Sequence, residues 1–282
     1  DKSAPGELVG AFEVFDAVSS GQADMYHSAD YYFIGQHPAY AYYTAVPFGG
    51  TAQELTNWYH HGGGHELHNE LGEVFNLKSF LAGNSGSQSG GWFRNEIGSA
   101  ADFNGLKFRM PGLGGKVLGK LGASVQNIPG GELYQALSSG ALDGLEWVGP
   151  FADERAGFHE PGAGLAAAVN LDAFNDLSVA HQKIIEYACM ATTHVQLAQT
   201  LANNGAALAR LQQQGVKTMQ FSDDVWDAFG SASAEVMDEN MGDELFARTR
   251  ESFEASLTSS AEWLSKSDAF YVEQRERVRN AG

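Results

Sequence analysis

The chain is predicted to be an α/β protein of two similar, interleaved halves followed by a helical C-terminal part. Three observations lead there. Ala17-Val-Ser-Ser-Gly-Gln-Ala-Asp24 has a counterpart in Ala136-Leu-Ser-Ser-Gly-Ala-Leu-Asp143. Residues up to about 170 hold most of the glycine, proline and aromatic residues, with short apolar runs alternating with helical stretches. Beyond Ser178 apolar residues recur mostly at helical spacing.

Each copy of the repeated frame reads as a helix ended by glycine, then a turn into a strand. Gly21 and Gly140 fall where a chain leaving a helix takes positive φ, which glycine adopts without steric cost. Two such halves place a ligand in the cleft between them. Phe80-Leu-Ala, Leu106-Lys-Phe-Arg-Met and Leu145-Glu-Trp-Val read as strands. Residues 178–214 read as helix, with Ser178 as N-cap and a break at Gly205. Gly215–Phe221 reads as one returning strand. Ser222-Asp-Asp-Val opens another helix, with acidic residues in its first turn, where the dipole favours them. The remainder to about 279 is helical, with Phe246, Phe253, Leu257 and Leu264 at helical spacing. Residues 1–80 therefore make mainly the first lobe and 81–170 mainly the second, with crossing strands; 171–282 form the helical part.

Composition limits the function. The 282 residues are 43% hydrophobic, enough for a real core, and no apolar run approaches the ~20 residues of a membrane span. The chain opens on Asp1-Lys2-Ser3-Ala4, which fits a processed protein. A net charge of −18 argues against nucleic acid, whose phosphates demand lysine and arginine. A bound anion needs a local cationic pocket against that field. The single Cys189 allows no internal disulfide and sits in an apolar helical pattern, so it reads as packing.

Four segments offer chemistry. His60, His61, His65 and His68 cluster around three glycines. The spacing His65-Glu-Leu-His68 is one residue short of a metalloprotease motif, and glycines between His61 and His65 oppose a helix there. A Gly-rich turn entering a helix near His65, with imidazoles at its mouth or surface, accounts for the cluster better than zinc. Ala82-Gly-Asn-Ser-Gly-Ser-Gln-Ser-Gly-Gly-Trp92 follows a strand and offers Asn84, Ser85, Ser87 and Gln88 as neutral hydrogen-bonding groups, or is an ordinary polar turn. Arg109 ends a strand in which Phe108 faces the opposite side. Open α/β sheets place ligands at that end, and a guanidinium there can grip a carboxylate through two parallel hydrogen bonds; a surface arginine is the alternative. Glu146 and Trp147 end the strand of the second repeat; the glutamate is either ion-paired or an oxygen ligand for a hard cation.

Those motifs, with Glu7-Leu-Val-Gly, Arg109-Met-Pro-Gly, Gly144-Leu-Glu-Trp-Val-Gly-Pro150 and His159-Glu-Pro-Gly162, strongly resemble the periplasmic solute receptors of TRAP transporters. The branch binding 2-oxo acids and lactate with a metal ion is the most similar. The resemblance runs over nearly the whole chain. It implies a two-lobed periplasmic-binding-protein-like α/β fold that closes on a small 2-oxo or 2-hydroxy monocarboxylate in the periplasm and delivers it to a membrane permease, without catalysis. It implies Arg109 as carboxylate anchor, with Asn84, Gln88, Tyr31, Tyr32 and Trp147 around the substrate. It places Gln88, Glu146, Trp147 and Glu160 around a sodium or calcium ion. It also implies a homodimer through the C-terminal helix. Two features depart from the family: its usual first strand and helix are not found before Glu7, and Pro150 and Glu160 are only ten apart. The other readings are a metal-free dicarboxylate or other organic-acid receptor and, from a different class, a metal-dependent hydrolase using His60 to His68.

Overall fold

The computed structural model describes residues 3–4, 6–86, 90–156 and 164–280. The early elements are α1 (Val14–Ser19), β1 (Met25–Ser28), α2 (Ala52–His61), α3 (Gly64–Glu73) and β2 (Leu77–Asn84). Then come β3 (Trp92–Phe93), β4 (Lys107–Arg109), α4 (Gly112–Lys120), β5 (Ser124–Gln126), α5 (Leu133–Ser138), β6 (Gly144–Leu145) and α6 (Pro150–Ala156). β7 (Gly164–Asn170), α7 (Leu171–Asn175), α8 (Val179–Gln213), α9 (Asp223–Asp238), α10 (Glu244–Leu264) and α11 (Asp268–Arg279) complete the chain.

Both copies of the repeated frame fold alike. α1 and α5 each end before a glycine with positive φ, 77° at Gly21 and 76° at Gly140, and lead into β1 and β6. The first copy seeds a sheet of order β1-β7-β2, the second a sheet of order β3-β6-β4-β5. Each sheet organises one lobe. β7 follows the whole second sheet in sequence yet pairs antiparallel between β1 and β2, so the chain crosses back and the lobes are interleaved.

The first sheet is covered on both faces. Phe80, Ala82, Ala167 and Val169 join Cys189 of α8, while Leu77, Leu81, Ala168 and Tyr26 face an aromatic core with Phe15, Tyr40 and Trp58. Three consecutive alanines in β7 let both layers approach. Burial pushes the Cys189 thiol up to about 11, leaving it protonated packing. In the second sheet β4 runs parallel to β5 and β6, the arrangement that α4 and α5 crossovers produce. Phe108 stacks on Phe93 at 5.0 Å.

Three local expectations are corrected. α8 runs 35 residues without a break at Gly205, because Ala207 and Leu211 beyond it are buried and hold the helix on. Gly215–Phe221 forms no strand. The segment joins no ladder and delivers Phe221 to Phe93 and Phe103. β6 ends at Leu145, short of the expected Glu146 and Trp147, although the Glu146 N–H still donates to the Arg109 carbonyl at 3.0 Å. Ser178 caps α8 as expected, accepting from the His181 N–H at 3.3 Å.

Candidate functional site

The parallel strands β4 and β6 end at one edge of the second sheet, and there Arg109 meets Glu146. Arg109 is wholly buried despite its charge. Its Nη1 donates to the Glu146 carboxylate at 3.2 Å and also to the Glu146 carbonyl. Nε donates to the Ile128 carbonyl at 3.2 Å, and Nη2 to the Tyr32 hydroxyl at 3.0 Å. Its guanidinium lies 5.0 Å from the Trp147 ring centre. That ring occupies the space a side chain would need at Gly130, where a Cβ would stand 1.9 Å from it. The sequence thus fixes the guanidinium from four directions, with backbone from one loop, an acid just past β6, an aromatic plane below and a tyrosine from the other lobe.

Tyr31 and Tyr32 come from a short 3₁₀ turn, Asp30–Phe33, and their rings meet edge-on at 4.7 Å. Thr44 Oγ1 accepts the Tyr31 N–H at 3.2 Å and sets the turn's position. Asn84 closes β2; its Oδ1 accepts the Gly86 N–H at 2.8 Å, which bends the chain away from the sheet. Tyr31, Asn84 and Glu146 line a cavity of about 430 Å³ between the lobes. Gln88 and Glu160 lie outside the described residues.

Burial pushes the Glu146 carboxyl up to about 8, with the Arg109 guanidinium opposing the rise. Asp153 is a neighbour the sequence gave no reason to single out. It accepts the Val148 N–H at 3.2 Å and the Gly149 N–H at 3.0 Å, holding the turn after Trp147. Burial pushes it up to about 9; the Val148 hydrogen bond lowers it, and Glu146 raises it further. Both pKa values rise on folding, so the stability these groups contribute is complete below about pH 4 and lost as pH climbs through 8 to 9. A buried carboxyl of this kind seeks a proton or a cation. Glu146, facing the cavity, therefore fits a hard-cation ligand by its chemistry.

The histidines do not converge. His60 and His61 finish α2 on the surface, and burial lowers the His60 and His65 imidazoles below their ordinary range. His68 is buried rather than decorating a helix surface. Its Nε2 lies 2.9 Å from Asp30 Oδ2, with both side chains fully enclosed, and its ring stacks 3.8 Å from Tyr43. Among the described residues no trio of His, Cys, Asp or Glu could hold a metal, which removes the geometric basis of the hydrolase reading. The Asp30–His68 pair was invisible in sequence because its members lie on different elements.

The cavity's other wall was also missed. Phe48, Phe221, Trp226 and Phe229 line it, from the turn before α2 and from the region of α9. The available signal was the spacing of Trp226 and Phe229, one helical turn apart.

Residues 3–244 match the family described as bacterial extracellular solute-binding protein, family 7. A monocarboxylate 2-oxoacid-binding periplasmic protein from Nostoc sp. (strain PCC 7120) is 40% identical over 273 residues, covering 92% of this chain and 75% of that protein. A TRAP transporter solute-binding protein from Bordetella bronchiseptica RB50, a dimer with calcium and picolinate in one site, aligns with a TM-score of 0.94 at 34% identity, covering 99% of this chain and 87% of that one. One from Pseudoalteromonas atlantica T6c, with sodium and pyruvate bound, aligns with a TM-score of 0.89 at 39% identity, covering 93% of this chain and 84% of that one. With the two-lobed fold and matches of this extent, the chain belongs to family 7 of the bacterial extracellular solute-binding proteins, the solute receptors of TRAP transporters.

Proposed function

We propose that this receptor captures a small 2-oxo or 2-hydroxy monocarboxylate together with sodium or calcium in the periplasm and hands it unchanged to TRAP permease subunits. The observation that carries the reading is the enclosed Arg109–Glu146 pair, whose Glu146 lines an interlobe cavity. Arg109 is the carboxylate anchor, taking the ligand at Nη2 in exchange for or beside the Tyr32 hydroxyl. Tyr31, Asn84 and Trp147 complete the ligand's surroundings with Gln88, and Glu146, Trp147, Gln88 and Glu160 surround the cation. The 40% identical Nostoc protein and the pyruvate-bound relative support that ligand class. A dicarboxylate without metal is disfavoured, since its second carboxylate would face the Glu146 acid with no further enclosed cation on the described cavity wall.

Titration calorimetry with pyruvate tests this. Binding should require sodium or calcium, and pyruvate should be recovered unaltered. Glu146→Ala should lose metal and ligand together. Glu146→Gln, which keeps the shape and a neutral oxygen, serves as the folded control. Elemental analysis finding stoichiometric metal in Glu146→Ala would reject the cation assignment.

Assembly follows from α11. None of its residues is buried, and Phe270, Tyr271 and Val278 are more than half exposed. We propose that this helix packs on a second copy, as the dimeric Bordetella relative encourages. Sedimentation should give a dimer for the full chain and a monomer once residues 268–282 are removed; a monomeric full chain ends the idea.

A further inference from the structure

The cavity is too aromatic for a three-carbon acid alone. It measures about 430 Å³, within the roughly 300–1,000 Å³ of pockets that take larger small molecules.

One wall of the cavity is built from rings. Phe48 and Trp226 meet edge-on at 6.0 Å, and Trp226 and Phe229 at 6.4 Å and 88°. Phe48 and Trp226 are 55% and 51% exposed, so two large apolar faces stand open to solvent beside the cavity. Phe48 is also one of two non-glycine residues with positive φ among the described residues, at 55°. An aromatic residue resists that conformation, and strain of this kind collects where a side chain must be aimed. Here it aims a phenyl ring at the cavity from the turn before α2. Aromatic rings prefer edge-to-face partners at such separations, and an aliphatic tail cannot supply the positive ring edge that completes the arrangement.

Resting on the monocarboxylate reading above, we propose that the receptor selects 2-oxo or 2-hydroxy acids bearing an aromatic ring, with Phe48, Trp226 and Phe229 as the determinants of that choice.

The test compares pyruvate, 4-methyl-2-oxopentanoate and 3-phenylpyruvate by calorimetry at saturating calcium. Phenylpyruvate should bind about tenfold or more tighter than pyruvate and clearly tighter than the branched aliphatic acid. In Trp226→Ala and Phe48→Leu the ratio of phenylpyruvate to pyruvate affinity should fall toward one. Both side chains are half exposed, and circular dichroism verifies the fold of each variant. Phenylpyruvate binding no better than pyruvate overturns the inference and leaves the carboxylate reading standing. Equal binding of the branched and aromatic acids overturns it too, since size alone then decides. Phenylpyruvate binding without pyruvate supports it, and failure of all three acids overturns both.

Discussion

Arg109→Ala is expected to weaken carboxylate binding by roughly thirty- to several-thousand-fold, the equivalent of about 2–5 kcal/mol for truncating one member of a buried charged pair. Charge alone does not account for this. The guanidinium is planar, and its donors already reach Glu146, Ile128 and Tyr32 at once. Lysine in its place keeps the charge but has no fork to satisfy those directions together, so Arg109→Lys should also be impaired. The Glu146 carboxyl would lose its counter-charge in the alanine variant, and part of the cost would appear as lowered stability. Calorimetry on protein shown to be folded separates the two effects. Near-normal affinity in folded Arg109→Ala would remove the carboxylate reading. His65→Ala, half-buried and away from the cavity, should bind normally.

The second large effect concerns stability. Breaking the enclosed Asp30–His68 pair should cost about 3–5 kcal/mol, because the remaining partner keeps its desolvation cost without compensation. For a chain of this size that lowers the melting temperature by on the order of 10 °C. His68→Ala additionally removes a ring stacked on Tyr43 and leaves a void in an aromatic core. Thermal melts should show both His68→Ala and Asp30→Ala strongly destabilised, and the double variant much less so than the two losses added. Melts within 2 °C of the parent would show that the pair does little for the fold. Asp30 begins the turn that presents Tyr31 and Tyr32, so the same pair also holds one side of the site in place.

Local rules carried well from sequence to structure. The repeated Ser-Ser-Gly frame was readable because a helix end needing positive φ selects glycine whatever surrounds it, and Gly21 and Gly140 both take that conformation. Arg109 was readable because strand alternation and the carboxyl-end rule are short-range statements. Its enclosure by Tyr32 was not, since that contact joins residues 77 apart in sequence. Gly205 misled because helix propensity is a weak preference, and packing of Ala207 and Leu211 overrode it. Gly215–Phe221 misled because a short mixed polar and apolar segment forms a strand only where a sheet edge accepts it. His68 looked like part of a surface cluster because sequence cannot display an acid waiting in the core. Asp153 carried no motif, and its role came entirely from the turn it caps.

The uninterrupted α8 acts as a lever. Near its middle Thr193 donates to the Leu81 carbonyl of β2 at 3.2 Å. Farther along, Asn204 accepts the Phe151 N–H at 3.1 Å, and Arg210 grips Glu154 through two hydrogen bonds of 2.7 and 2.6 Å. From Thr193 to Arg210 the helix spans about 25 Å, so a tilt of about 5° at the sheet swings its far end by roughly 2 Å. Hydrogen bonds do not stretch that far, so α6 has to travel with it. α6 carries Asp153 and begins four residues after Glu146. A helix hinged at Gly205 would have absorbed such a tilt before Arg210; a continuous one passes it to α6 and the acids Asp153 and Glu146.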